Sequence, residues 1–293
     1  MNRSILLLKF EIKKIMARKK ALLFLLGLNV IPILGGILGI IVFIKFKTWG
    51  FDDLRLSLLT EAMRGLFTAH LKLFAWIAPF FLSLVIGDSI SGEMAKGHMK
   101  TLLLTPVTRL QVIISKSLAV MFFLLIAITI GGLFLQTTIW IAKNMSQSPK
   151  IVLDFVEDAP TTILSAISAI KLLAISFVAN LPVIAYFVLF SLFSESPILM
   201  AFSGLFVMMF LQTFVLMAPT LAKFDPFYEK IASWIFTRHP SKLFEIDTLY
   251  GIMDGKLNIF DPAVSNAIIG CVTWSIFFFF LSALIFRRKA IPG

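Results

Sequence analysis

Apolar residues run through this chain in long stretches, and polar residues are confined to short segments between them. Six apolar stretches are long enough to cross the ~30 Å hydrocarbon core of a bilayer as helices. They lie at about 21–44, 70–87, 112–141, 164–193, 197–222 and 263–286. Backbone in hydrocarbon must satisfy its own hydrogen bonds, and a helix does so within one segment. The pattern predicts an all-α membrane protein with six transmembrane helices. No polar segment is large enough for a soluble domain, so residues 1–293 are read as a single transmembrane domain.

The polar segments have distinct characters. Residues 1–21 place Ile5, Leu8, Ile12 and Ile15 at helical spacing among lysines and arginines. This suits an amphipathic helix lying in the interface, with its charges on anionic lipid. The run after it is too long for a signal peptide and lacks a small-residue cleavage site, so it reads as a retained span. Ser194, Glu195, Ser196 and Pro197 close a tight hairpin between the fourth and fifth spans. Segment 45–72 continues the second span outward. Segment 223–262 mixes Phe227, Tyr228, Trp234, Phe244 and Tyr250 with charges, which suits short helices dipping into the outer interface.

Composition agrees with this reading. Of 293 residues, 59% are hydrophobic and 15% charged, against ~45–50% and ~25% in soluble domains. Charge then orients the chain. The segments 1–21, 87–116, 193–197 and 287–293 hold 14 Lys/Arg against 4 acids, while 45–72, 142–171 and 223–262 hold 13 against 12. The first set carries +10 of the net +11 and abuts the span ends, which marks it as cytoplasmic. The expected location is the cytoplasmic (inner) membrane, with both termini inside. Lipid headgroups account for the basic excess, so no nucleic-acid partner is invoked.

Chemistry within the spans is sparse. Asn29, Gln136, Asn180 and Gln212 stand at membrane depth and are the candidates for lining a substrate path. Pro32, Pro79, Pro182 and Pro219 lie in four different spans, where each removes a backbone hydrogen bond. No Asp, Glu or His stands mid-span, which argues against proton or sodium coupling and for an outside energy source. His70, His98 and His239 form no metal spacing, and lone Cys271 makes no intrachain disulfide. A phosphate-binding G-x-x-x-x-G-K-[ST] is missing; Gly251, Gly255 and Lys256 have the wrong spacing. The sequence predicts no catalytic residue, no metal and no cofactor on this chain.

The polar island Gly87–Lys116 is the informative segment. Glu93, Lys96 and Lys100 recur at helical spacing and predict one surface helix over Ser91–Leu104. Thr105-Pro106 stops it, because the residue before proline leaves the α region. Thr108 and Gln111 form a capping box that starts the next span.

These residues resemble the cytoplasmic signature of ABC-2 type transporter permeases. Asp88, Gly92-Glu93, Gly97, Thr101-Leu102-Leu103, Pro106-Val107-Thr108-Arg109 and Lys116 follow its order, with Gly97-His98 where the family commonly has G-T. The resemblance implies a permease whose island is a coupling helix that docks in a separate P-loop ABC ATPase. Asp88, Gly92, Glu93, Gly97, His98, Thr101, Pro106, Arg109 and Lys116 are then the coupling residues, with Glu93 and Arg109 holding the helix in place. ATP and magnesium belong on the partner ATPase. A second permease copy or paralogue completes a dimer that exports a drug, peptide, lipid or ion. The alternative is a non-exporting membrane subunit that transmits ATPase motion to a periplasmic or surface protein.

Overall fold

The computed structural model describes residues 3–48, 52–104, 107–145, 166–253 and 256–288. Twelve helices occur among them: α1 (Arg3–Met16), α2 (Lys19–Thr48), α3 (Asp52–Ser89), α4 (Ser91–Ala95), α5 (His98–Leu103), α6 (Arg109–Met145), α7 (Ala166–Ser191), α8 (Pro197–Leu221), α9 (Phe227–Trp234), α10 (Arg238–Leu243), α11 (Ile246–Met253) and α12 (Pro262–Arg288). No strand occurs among the described residues.

Five stretches are long and apolar enough to cross a membrane: Ala75–Ala95, Arg109–Phe134, Ile170–Ser191, Pro197–Leu221 and Pro262–Arg288. They match the second to sixth predicted spans. The first predicted span, 21–44, lies within α2, which is helical throughout but is not one of these five. Segment 45–72 is no separate loop where it is described: α3 is one helix of 38 residues that begins at Asp52.

One end of the bundle gathers the basic segments. Arg109 Nη1 donates to the carbonyls of Phe286 (3.0 Å) and Arg287 (3.3 Å), joining the start of α6 to the end of α12. Gln111 donates to Ser4 of α1 at 3.3 Å, and Ser91 donates to the Ser191 carbonyl at 2.8 Å. The hairpin between α7 and α8 packs on the same end. A side chain at Gly87 would meet the Pro197 carbonyl at 3.0 Å, and one at Gly92 the Pro197 ring at 3.2 Å. We call this the basic end.

At the opposite end, α8 finishes at Leu221 and α9 doubles back along it, burying Ala232 against Val215 and Ala218. The chain then turns at Ile235–Thr237 deep in the bundle. Phe236 stacks on Tyr186 (ring centroids 5.1 Å) and meets Phe278 edge-on (5.2 Å). Both partners lie in the halves of α7 and α12 nearer the basic end. The first part of segment 223–262 therefore re-enters between the spans, where short helices dipping into the outer interface were expected. Non-helical backbone is tolerated at such depth because it is buried in protein, and Phe236 and Thr237 are both buried.

A buried charge network at the basic end and a cleft beside the re-entrant corner

The predicted surface helix Ser91–Leu104 is two short helices with different surroundings. Ile90 N–H donates to Ile86 O (2.9 Å) and Met94 N–H to Ile90 O (3.0 Å), so the helical ladder of α3 runs on into α4. Ser91, Gly92, Glu93 and Met94 are buried there. Gly97 then takes φ +70°, the left-handed region that favours glycine, and turns the chain into α5. Spacing alone could not show this break, because Gly97 falls in register with a continuous helix.

Beyond the glycine the segment faces outward. Lys96, His98, Lys100 and Thr101 are exposed, and Leu104 is 86% exposed. Met99 is buried, and Leu102 and Leu103 pack against the core, so they anchor α5. Thr105-Pro106 lies outside the described residues. The capping box forms as expected: Thr108 N–H donates to Gln111 Oε1 at 2.8 Å, and Gln111 N–H donates to Thr108 Oγ1 at 3.2 Å.

Glu93, expected on a surface helix, is the hub of a buried network. Lys116 Nζ lies 2.7 Å from Glu93 Oε2 and 3.0 Å from Glu11 Oε1. Lys14 Nζ (2.5 Å) and Arg18 Nη2 (3.2 Å) both approach Glu93 Oε1. Lys116 and Glu11 are each 1% exposed and Glu93 4%. Desolvating charges is costly, so such a cluster persists only where partners compensate closely. Here it ties α1, α4 and α6 into one body. Arg109, the other predicted holding residue, binds the end of α12.

Glu11, Lys14 and Arg18 were not singled out from the sequence, yet a signal was present. Leu7, Glu11 and Ile15 share one face at i, i+4, i+8, and all three are buried. An acid on the apolar stripe of an amphipathic helix needs a buried partner. Lys116, on a stripe with Val112, Ala119 and Phe123, supplies it.

The four polar residues predicted for a substrate path do not converge. Asn180 and Gln212 line a cleft of about 600 Å³ between α3, α7, α8 and the re-entrant corner. Trp76, Phe80, Leu205 and Met208 form its apolar part, and Thr237, Ser241, Glu245 and Asp247 its polar part. Gln212 donates to Ser241 Oγ at 2.7 Å and so pins α8 to α10. Asn29 is elsewhere: its amide donates to Leu25 O (2.8 Å), and with His70 it folds over Gly131 of α6. The side chain of Gln136 lies outside the described residues.

Residues 7–207 match the family model described as ABC-2 family transporter protein. The chain belongs to the ABC-2 transporter family. The match takes in α1 from Leu7 onward, the whole charge network and the start of α8, and it makes this ABC-2 protein a permease subunit of an ABC transporter. A search of curated proteins gives no match. No cluster of His, Cys, Asp or Glu able to hold a metal occurs among the described residues of the permease. Cys271 is buried as a small apolar side chain in α12.

Proposed function

We propose that the permease exports its substrate across the cytoplasmic membrane as a dimer, driven by ATP hydrolysis on separate ABC ATPase subunits. In this reading the basic end faces the cytoplasm, α2 is the remaining span, and α5 is the surface on which the ATPase pushes. The observation that carries the reading is the pairing of an exposed α5 face with the buried network behind it. Lys96, Lys100, Thr101 and Leu104 face outward, while Glu93 joins α4 to α1 and α6 within 2.5–3.2 Å. Force on α5 passes through the Gly97 turn into α4, and the charge cluster moves α1 and α6 with it.

The cleft favours export over a purely transmitting subunit. It gives cargo a place beside the re-entrant corner, and Gln212–Ser241 lets movement of α8 reach that corner. The alternative, drive of a periplasmic or surface partner, has no use for such a cleft.

The test is co-expression of the full chain with candidate ABC ATPases, followed by reconstitution of whichever co-purifies. Lys100→Glu/Leu104→Asp is expected to weaken co-purification and uncouple ATP hydrolysis while the permease stays folded. Full coupling in that variant would overturn the assignment of α5.

A further inference from the structure

We infer that the cleft beside the re-entrant corner binds an amphiphilic cation, an apolar body carrying a protonated amine or fixed positive charge. The inference names a substrate class for the proposed path and rests on that reading. The cleft is graded along the bundle axis. Lys72 and Phe80 stand roughly 12 Å apart along α3, and both line it. Toward the basic end its walls are apolar, from Phe80, Val183, Leu205 and Met208; toward the other end stand Lys72, Glu245 and Asp247. A ligand with one apolar and one polar end matches that gradient.

Three observations narrow the ligand. The volume of about 600 Å³ falls in the ~300–1,000 Å³ range of sites for drug-sized molecules. Two carboxylates stand against one ammonium at the polar end, which favours a positive head over a negative one. Trp76 and Phe244 add aromatic side chains to the lining, a residue type that attracts cations.

Thr237, deeper in the cleft at the re-entrant corner, is a separate sign that the ligand carries a polar atom. It lines the cleft, is 1% exposed, and its Oγ1 has no hydrogen-bond partner among the described residues. A buried hydroxyl left unpaired is costly, and a polar atom where the ligand's body joins its head would satisfy it. Its neighbour Ser241 is already engaged, accepting from Gln212 (2.7 Å) and donating to the Thr237 carbonyl (2.7 Å).

The experiment measures fluorescence binding of two dyes to the full chain in nanodiscs of uncharged lipid, with no ATPase present. Rhodamine 6G is the cationic amphiphile, and 8-anilinonaphthalene-1-sulfonate is the anionic one. The expected result is a clear preference for rhodamine 6G. Glu245→Gln/Asp247→Asn should weaken it about tenfold, as loss of ~1.4 kcal/mol would, without weakening the anionic dye. Thr237→Val should weaken rhodamine 6G, and Met209→Trp, at a cleft residue 63% exposed, should block both dyes. Rhodamine 6G binding that survives both Met209→Trp and the double charge removal would overturn the inference. So would equal binding of the two dyes by the unaltered chain. Because binding is read without the ATPase, its failure leaves the coupling reading intact. Dye binding by a chain that recruits no ATPase would sink the permease mechanism alone.

Discussion

Lys116 and Glu93 stand 23 residues apart in the chain and 2.7 Å apart at Nζ and Oε2, both out of solvent. Removing Lys116 takes the ion-pair partner from buried Glu11 and leaves Glu93 to Lys14 and Arg18. Lys116→Met should lower the stability of the purified chain by about 3–5 kcal/mol, read by thermal unfolding in detergent. Combining it with Glu93→Gln should cost less than the sum of the single changes, with a coupling of about 0.5–3 kcal/mol. Simple additivity would mean that the two side chains do not share a site.

Gly97 is the one described residue with positive φ. Gly97→Ala would force a side chain into the left-handed region, at about 1–2 kcal/mol. Nothing stands within 4 Å of where its Cβ would lie, so the strain is of the backbone alone. The expected result is reduced coupling between ATP hydrolysis and transport, with a small drop in melting temperature. Unchanged coupling would show that the turn between α4 and α5 transmits nothing.

Gly131 lets α2 and α3 close on α6. A Cβ there would overlap both the His70 ring and the Asn29 carbonyl oxygen. Gly131→Ala should destabilise by about 1–3 kcal/mol through overpacking. Gly65→Ala, in α3 with no atom within 4 Å of the added carbon, should be neutral or stabilising by up to about 1 kcal/mol. Thermal unfolding of the two variants side by side checks the contrast.

Much of the fold was legible in the sequence because the bilayer imposes one rule, the long apolar run. The spans 112–141, 197–222 and 263–286 reappear within a few residues as Arg109–Met145, Pro197–Leu221 and Pro262–Arg288. Local polar chemistry was legible too, as the Thr108–Gln111 box shows. What stayed hidden depends on which distant side chains meet. Spacing put Glu93 on a surface helix, but the α3 ladder carries it into the bundle, where Lys14, Arg18 and Lys116 surround it. The aromatic segment after α8 read as interfacial, because composition does not distinguish an interface from a buried corner. Only the contact of Phe236 with Tyr186 does so. Likewise, four amides at membrane depth suggested one path, while Asn29 and Asn180 pack on different helix pairs.

The central claim, that α5 receives an ATPase while α4 faces inward, is tested most directly by photo-crosslinking in membranes. A photoreactive residue is placed at position 104, which is 86% exposed, or at position 94, which is 2% exposed. The account predicts an adduct with an ABC ATPase from position 104 and none from position 94. Absence of the adduct at 104, or equal adducts at both positions, would contradict it.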